Sequence, residues 1–310
     1  MKLSFVIPVY NEQDSLDKLY SEIRENCKEF EYEIIFIDDG STDDSYKILG
    51  KLAADDNNVK LIKFRKNFGK SAGLNKGFEV AEGDIVFTLD ADLQDDPKEI
   101  QHFLNKIEEG YDMVTGWKVK RRDPISKTWP SKLYNKVTSN TFKLKLHDYN
   151  CGFKAYRKEV INELDIYGEM HRYIPALAHS LGFKVAEIPV HHRKREFGKT
   201  KYGSERYLRG FLDLLTVKLV TRYIHSPLYL FGRVGFGFGF IGFIIALYLS
   251  IMKLGFGVPL YNRPLLYLGT LLMIIGLQFF SIGLLGELII NRNRSGNKTK
   301  NISIAEIVNL

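Results

Sequence analysis

Two long stretches without a charged residue restrict how this 310-residue chain can fold. Residues 234–252 and 265–285 contain no Asp, Glu, Lys or Arg. Each stretch is close to the ~20 residues that an α-helix needs to cross a bilayer. Buried helices of globular proteins are seldom so long and so free of charge. The sequence therefore predicts an apolar region at 228–290 with two transmembrane helices, at about 229–252 and 265–290.

Basic residues accumulate around these two predicted helices. Those that precede and follow them are Lys218, Arg222, Arg233, Arg292, Arg294, Lys298 and Lys300. The stretch between the helices contains only Lys253 and Arg263. Because loops rich in Lys and Arg stay on the cytoplasmic side, we expect both chain ends, including a tail at 291–310, to be cytoplasmic.

Glycines recur at helical spacing in the same region. Gly235 and Gly239 form a G-x-x-x-G pattern, and Gly269, Gly276 and Gly283 follow one another every seven residues. Small residues let transmembrane helices approach closely. The pattern predicts close packing within a hairpin or between two copies of the chain, so a homo-oligomer is among the expected assemblies.

The segment just before the apolar region is amphipathic. In residues 205–224, the large apolar side chains that share one side of a helix are Leu208, Phe211, Leu212, Leu215 and Leu219. Arg206, Arg209 and Asp213 fall elsewhere. This pattern is typical of a helix that lies in the membrane surface, and we predict such an interfacial helix at 205–227.

Residues 1–204 alternate strand-like and helix-like patterns. The predicted strands are residues 3–9, 32–37, 59–64, 85–89 and 111–116, and residues 185–190 are also strand-like. The first helical pattern places Leu16, Leu19, Ile23 and Cys27 on one face. Such alternation with short connections predicts an α/β domain with a doubly wound, mainly parallel sheet.

Acidic residues follow two of these strands. Asp90 and Asp92 come directly after the fourth strand, where open α/β sheets bind ligands. Two carboxylates this close repel each other unless a cation or water screens them, and Mg²⁺ shares oxygen ligands with substrate phosphates. With Gln94, they indicate a metal that holds a diphosphate. The alternative is a solvated turn that caps a helix starting at Pro97.

Asp39 follows the second strand and can bind a ribose hydroxyl or a base edge. The alternative there is a turn in which Ser41 or Thr42 caps the next helix. The convergence of Asp39, Asp90 and Asp92 with Asn11 and Lys70 on one crevice favours a binding site.

Missing motifs, cysteine content and net charge argue against several other classes of protein. The chain has no G-x-G-x-x-G after its first strand and no G-x-x-x-x-G-K-[ST] motif, which argues against dinucleotide and P-loop chemistry. Cys27 and Cys151 are its only cysteines, so a reducing compartment is expected. A net charge of +7 without a nucleic-acid-binding module favours anionic lipid or phosphorylated substrates over nucleic acid.

Four ordered motifs resemble the family 2 glycosyltransferases, which have the GT-A fold. They are F-V-I-P-V-Y-N-E at 5–12, I-D-D-G-S-T-D at 37–43, N-F-G-K at 67–70 and L-D-A-D-L-Q-D-D-P at 89–97. More narrowly, the chain resembles the polyprenyl-phosphate glycosyltransferases, which include dolichol-phosphate mannose synthases and bactoprenol glucosyltransferases. The resemblance covers nearly the whole chain.

The resemblance implies roles for individual residues. The nucleotide-sugar site would comprise Pro8, Tyr10, Asn11, Glu12, Asp39, Lys70, Asp90, Ala91 and Asp92. A divalent metal, Mg²⁺ or Mn²⁺, would be held by Asp90, Asp92 and Gln94. Asp148 matches a D-x-x-[CS]-G-F-[KR] motif, so with Asp90 and Asp92 it completes the expected catalytic set. The alternative for Asp148 is a hydrogen-bonding turn around Gly152.

Two basic clusters flank that motif. We expect them to bind the acceptor and the diphosphate through Arg121, Arg122, Ser126, Lys132, Arg193, Arg195, Lys199, Lys201 and Tyr202. Arg binds phosphate through paired hydrogen bonds, and in the resembled family the second cluster is a basic loop that closes on the phosphates. The alternative is an ordinary solvated charged surface. His191 and His192 lack the nearby cysteines or second acid that a metal site needs.

The expected activity is transfer of a sugar from a nucleotide diphosphate, of UDP-glucose type, to a polyprenyl phosphate such as undecaprenyl phosphate. The resemblance implies a single inverting displacement and a multi-pass protein of a bacterial-type inner membrane, with a cytoplasmic catalytic domain at 1–204. A processive polysaccharide synthase is an alternative, but its Q/R-x-x-R-W motif and further spans are not seen. A non-catalytic scaffold would be expected to have lost part of the set that includes Asp90 and Asp92.

Overall fold

The computed structural model describes residues 1–119, 138–139, 142–193, 226–261 and 263–294. The chain divides into two compact units, Met1–Val217 and Lys218–Leu310. The predicted interfacial helix at 205–227 lies, except for its last two residues, outside the described part of the chain. The same holds for most of the tail predicted at 291–310.

The first unit is built on a seven-stranded sheet with the order β3-β2-β1-β4-β6-β5-β7. The strands are β1 Lys2–Val9, β2 Glu31–Asp38, β3 Val59–Lys63, β4 Ile85–Thr88, β5 Met113–Lys118, β6 Lys154–Arg157 and β7 Val185–Val190. All neighbouring strands are parallel except β6, which is antiparallel to both β4 and β5. The predicted α/β class with a mainly parallel sheet is confirmed.

Helices connect these strands. They are α1 Leu16–Asn26, α2 Ser45–Asp55, α3 Lys70–Val80, α4 Ile100–Glu108, α5 Lys158–Glu163 and α6 Ile174–Ser180, with 3₁₀ turns at Pro97–Glu99 and Met170–Tyr173. The buried face of α1 consists of Leu16, Leu19 and Ile23, at the spacing that predicted the helix. The helix expected to start at Pro97 begins as a 3₁₀ turn, and Asp96 caps it by accepting from Lys98 N at 3.1 Å.

Aromatic side chains fill the centre of the core. Phe5 of β1 stacks on Phe87 of β4, with ring centroids 5.2 Å apart, because these residues face each other in the parallel register. Phe103 of α4 covers Phe153, with centroids 4.4 Å apart. This packing fixes β1, β2 and β4 side by side, so their carboxyl ends form one edge of the sheet.

The second unit contains two long apolar helices, α7 Pro227–Phe256 and α8 Pro264–Arg294. Both are long and apolar enough to cross a membrane. A Cβ added to Gly235 would lie 2.5 Å from Gly276 O, and one added to Gly242 would lie 2.6 Å from Gly269 O. The two helices therefore pack backbone to backbone as a hairpin, and these glycines serve contacts within it.

Candidate active site

A tight acidic turn follows β4. Asp92 Oδ1 accepts from Gln94 N at 3.2 Å, and Asp90 N lies 3.3 Å from Asp95 Oδ2. Leu93 adopts a positive φ of 61°, which turns the chain sharply. The turn places three carboxylates, those of Asp90, Asp92 and Asp95, within five residues of one another at the edge of the sheet.

The electrostatics of the turn differ from one carboxylate to the next. Burial raises the pKa of Asp90, but the cations of Lys70, Lys118 and Lys154 outweigh burial and hold that pKa well below its ordinary value. For Asp95, burial together with repulsion from Asp90 and Asp92 raises the pKa to about 6, against an opposing effect of Lys118. The carboxyl group of Asp95 is therefore protonated more readily than that of an exposed Asp.

Cations surround the acidic turn. Lys70 Nζ, from the first residue of α3, forms an ion pair with Asp90 Oδ1. Lys154 is buried and donates to Cys151 O, and burial lowers its pKa to about 8. Neither Lys118 nor Lys154 is among the site residues predicted from the sequence. The signal for Lys154 was its place in the D-x-x-[CS]-G-F-[KR] motif, and the signal for Lys118 was its place in the first basic run.

Gly152 lies directly against Asp90. A Cβ at this position would be 2.4 Å from Asp90 Oδ2, and Gly152 O accepts from Thr88 Oγ1 at 2.9 Å. The strand β6 that follows is antiparallel to β4, which brings the 148–154 segment back beside the acidic turn. The structure thus joins the Asp90 and Asp148 motifs, 58 positions apart in sequence, in one site.

Asp148 is buried in this segment. Its Oδ1 accepts from Asn150 N at 3.0 Å, which closes a local turn just before Gly152. The preceding residue, His147, donates its backbone N–H to the Glu187 carboxylate at 2.8 Å and contacts it through ring Nδ1 at 2.5 Å. Trp117 stacks on the same ring, with centroids 4.0 Å apart. These contacts fix the chain on which Asp148 is carried.

The loops after β1 and β2 are joined by hydrogen bonds. Asn11 adopts a positive φ of 53°, its Oδ1 accepts from Thr42 N at 2.8 Å, and its N–H donates to Ser41 Oγ at 3.0 Å. The expectation that Ser41 or Thr42 caps the next helix is wrong. The helix begins later, at Ser45, whose N–H donates to Asp43 Oδ1 at 3.0 Å, and Ser41 is used by Asn11 instead.

Asp39 holds the loop that precedes α3. Its carboxylate accepts from Phe68 N at 2.7 Å and from Gly69 N at 2.9 Å. Burial outweighs these two hydrogen bonds and raises the pKa of Asp39. Phe68 itself is 58 % exposed. The residues expected around the nucleoside, Pro8, Tyr10 and Glu12, lie at the end of β1 beside these loops.

Behind Lys70, Ser71 and His171 form a buried pair. Ser71 Oγ accepts from His171 N at 3.1 Å and also lies 3.1 Å from ring Nδ1 of the same residue. Burial, together with Lys70, Arg172 and Lys154, holds the pKa of His171 well below its ordinary value. A neutral His171 therefore adds no further positive charge and supports the first turn of α3. No sequence motif pointed to this pair.

Most of the predicted phosphate-binding residues lie outside the described part of the chain: Arg121, Arg122, Ser126, Lys132, Arg195, Lys199, Lys201 and Tyr202. Arg193 is described, and it contacts two carboxylates of its own chain. Its Nη1 lies 2.6 Å from Glu22 Oε2, and its Nη2 lies 2.6 Å from Asp96 Oδ1.

The acidic turn is also tied to the start of α1, because Ala91 O accepts from Ser15 Oγ at 2.6 Å.

No group of three or more His, Cys, Asp and Glu side chains suited to a metal ion occurs among the described residues. Two carboxylates are nevertheless enough for Mg²⁺ when substrate phosphates and water complete its coordination. Asp90, Asp92 and the Gln94 amide oxygen are such a set of oxygen donors. Gln94 Nε2 lies 3.2 Å from His192 Nε2 and 3.4 Å from Arg193 O, so its amide nitrogen faces the residues that follow β7.

The carboxyl edge of the sheet thus carries an acidic turn, the lysines that face it and the loops after β1 and β2, which is where open α/β enzymes bind their ligands. The sequence profile described as "Glycosyl transferase family 2" matches residues 4–165. The chain belongs to this family and is a glycosyltransferase.

Two relatives align with almost the whole chain. The undecaprenyl-phosphate 4-deoxy-4-formamido-L-arabinose transferase of Pseudomonas fluorescens (strain SBW25) is 39% identical over 289 residues, covering 92% of this chain and 83% of the relative. The dodecaprenyl-phosphate galacturonate synthase of Rhizobium johnstonii is 32% identical over 317 residues, covering 99% and 93%.

A solved structure supports the fold. The glucosyl-3-phosphoglycerate synthase of Mycobacterium tuberculosis, crystallised with Mn²⁺, UDP and phosphoglyceric acid, superposes with a TM-score of 0.53 at 18% identity. The superposition covers 69% of this chain and 78% of that one.

Proposed function

We propose that this glycosyltransferase moves a sugar from a nucleoside diphosphate to a membrane polyprenyl phosphate. The observation that carries the proposal is the extent of the alignment. Relatives named for undecaprenyl-phosphate and dodecaprenyl-phosphate products align with 92% and 99% of this chain. Coverage this extensive includes most or all of the apolar hairpin as well as the sheet, so the likeness is not confined to the nucleotide-binding half.

We propose a uridine diphosphate donor of UDP-glucose type. The Mycobacterium synthase was crystallised with UDP, which supports the base, while the sugars in the relatives' names are a formamido-arabinose and a galacturonate. All three sugars therefore belong in the donor panel that tests this enzyme. Asp39 and the Asn11 loop would shape the nucleoside pocket through the backbone that they hold in place.

Asp90, Asp92 and the Gln94 amide oxygen would hold a divalent ion, Mg²⁺ or Mn²⁺. The chemistry of the donor set fits, because all three atoms are hard oxygens of the kind that Mg²⁺ and Mn²⁺ bind. When bound, the ion would neutralise the departing diphosphate and act as a Lewis acid. The same set of oxygen ligands suits Mg²⁺ and Mn²⁺ alike.

The protein's own residues would bring together two phosphorylated substrates that repel each other. Lys70 and Lys118 lie around Asp90 and would attract phosphate oxygens, with the basic residues at 121–132 and 195–201 on the acceptor side. The acceptor phosphate has a second pKa of about 6, so it is mostly dianionic at neutral pH and needs little help from a general base. Asp148 would orient the acceptor, and a single displacement would invert the anomeric carbon.

We propose a multi-pass protein of a bacterial inner membrane. Helices α7 and α8 would be the two spans, and the basic residues on both sides of the pair favour cytoplasmic ends. The segment 205–227 would lie in the membrane surface before the first span, and the sheet unit would work on the cytoplasmic side. Downstream use of the product in cell-envelope polysaccharide is the expected context.

The test uses the purified full-length protein in detergent with undecaprenyl phosphate and Mn²⁺ or Mg²⁺. Radiolabelled UDP-glucose, UDP-galacturonate and UDP-4-formamido-arabinose are supplied one at a time. We expect one donor to give a label that partitions into organic solvent and is released by mild acid as a single sugar. Label that appears only as free sugar, or as a long water-soluble polymer, would contradict the proposal.

A further inference from the structure

The residues after β7 form a short bridge to the acidic turn. Arg193 N donates to Gln94 O at 2.9 Å, and His192 pairs with Asp95 as an isolated antiparallel bridge. The Gln94 side chain faces the same two residues, with Nε2 3.2 Å from His192 Nε2 and 3.4 Å from Arg193 O. The main chain of Arg193 is thus one hydrogen bond away from a residue that would hold the metal.

The Arg193 guanidinium spans two elements on the other side of this bridge. One nitrogen contacts Glu22 of α1 and the other contacts Asp96 at the end of the acidic turn, both at 2.6 Å. The three side chains are 21%, 22% and 12% exposed, so the pair of contacts is largely shielded from water. His191 adds a weaker contact, with Nδ1 3.6 Å from Asp96 Oδ2.

This geometry differs from that of a phosphate ligand. Both terminal nitrogens of Arg193 already contact carboxylates, so a substrate phosphate would have to compete with Glu22 and Asp96 for them. Leaving a partly buried charge without its partner is costly. Bridging two carboxylates in a fixed fork is what Arg does and a Lys ammonium does not.

We propose that Arg193 is a positioning residue for the metal-binding turn. It holds α1, Asp96 and the Gln94 main chain in one arrangement, so that Asp92 and the Gln94 oxygen are presented to the cation. This inference rests on the proposed function, because it requires a divalent ion at that turn. It also gives Arg193 a different role from that of the basic residues that follow it in the chain.

Glu22 provides the decisive comparison. It lies in the middle of α1, and its only proposed task is to bind Arg193. If Arg193 positions the turn, Glu22→Gln should produce the same defect as Arg193→Met. If Arg193 binds substrate phosphate, Glu22→Gln should leave the site intact or free the guanidinium for its ligand.

The experiment measures Mn²⁺ binding to the full-length protein with UDP, by electron paramagnetic resonance of the free ion. Partners that orient metal ligands typically contribute about 10- to 100-fold in affinity. We expect Arg193→Met to weaken Mn²⁺ binding at least about tenfold and Glu22→Gln to weaken it in the same direction. The double variant should bind Mn²⁺ no more weakly than Arg193→Met alone, because Glu22→Gln affects only a contact that Arg193→Met already removes. Lys98→Met and Glu25→Gln, which change exposed charges nearby, should bind as the wild type does.

Arg193→Lys is the second variant if Arg193→Met fails to fold. It keeps the charge but cannot bridge both carboxylates, so the same weakening is expected. Wild-type Mn²⁺ affinity in Glu22→Gln, or additive losses in the double variant, would overturn the proposal. A wild-type protein that binds no Mn²⁺ would also overturn it. Formation of the lipid-linked sugar in excess chelator would then show that the proposed function stands without the metal turn.

Discussion

Replacing Gly152 by Ala should disable the site while leaving the fold intact. The backbone of Gly152 lies outside the left-handed region, so Ala can adopt it without strain. Its new Cβ, however, would lie 2.4 Å from Asp90 Oδ2 and 2.6 Å from Asp90 Cγ, whereas ordinary contacts begin at 3.4 Å. The Asp90 carboxylate must therefore retreat by about 1 Å, and misplacing a reacting or ligating group by that much costs about 100-fold in rate.

The displacement also separates Asp90 from Lys70, with which it forms an ion pair. We expect kcat/KM for sugar transfer to fall about 100-fold, with a circular dichroism spectrum unchanged from that of the wild type. Gly50→Ala is the matched control. Its added Cβ meets nothing within 4 Å in the helix α2, so it should retain full activity and gain up to about 1 kcal/mol of helix stability.

The assay is initial-rate transfer to undecaprenyl phosphate over a range of Mn²⁺ concentrations. A Gly152→Ala enzyme within about twofold of wild type would refute the reasoning, because the acidic turn would then tolerate a shift of this size. If Gly152→Ala is insoluble while Gly50→Ala is soluble, the clash prevents folding, and the loss of activity does not report on catalysis. Gly152→Ser, which is larger still, should be no more active than Gly152→Ala.

Three further outcomes are expected. Asp92→Asn should nearly abolish transfer without unfolding the protein, since it removes a ligand charge and no core volume; normal turnover, or full wild-type activity in excess chelator, would contradict the metal assignment. Arg195→Ala and Lys199→Ala should each lower kcat/KM about tenfold, because a charge-assisted hydrogen bond contributes roughly 1.5–3 kcal/mol whereas a solvated surface charge contributes well under ~1 kcal/mol. Near-wild-type kinetics in both variants would show that these residues are ordinary surface charges. A reporter fused after Leu310 should be cytoplasmic and a tag near Gly257 accessible from outside, and the reverse labelling would refute the hairpin topology.

The order of strands and helices in the first half of the chain was predictable because burial leaves a local signature. A strand covered on both faces is mostly apolar, and β1, β2 and β4 each contain such a run. The hairpin was predictable for a related reason, since the bilayer sets the length of an uncharged helix. Both signals depend only on neighbouring residues in the sequence.

Strand β6 shows where that signal ends. Its four residues, Lys154–Arg157, include two cations and form no apolar run, and no strand was predicted there. The strand exists because its backbone pairs with both β4 and β5, which supply hydrogen bonds on its two sides. Yet this strand carries Lys154 and brings Gly152 against Asp90.

The motifs determined the chemistry of the site, because carboxylates, amide and lysines at strand ends limit the ligands that can bind there. Only the tertiary structure decided which partner each side chain has. Asp39 binds the Phe68 and Gly69 amides 29 and 30 positions away, and Arg193 binds Glu22 171 positions away. The sequence alone does not show which of the many opposite charges lies close to a given charged residue. The sheet order selects among them, because it alone sets which of those charges come within a few ångströms.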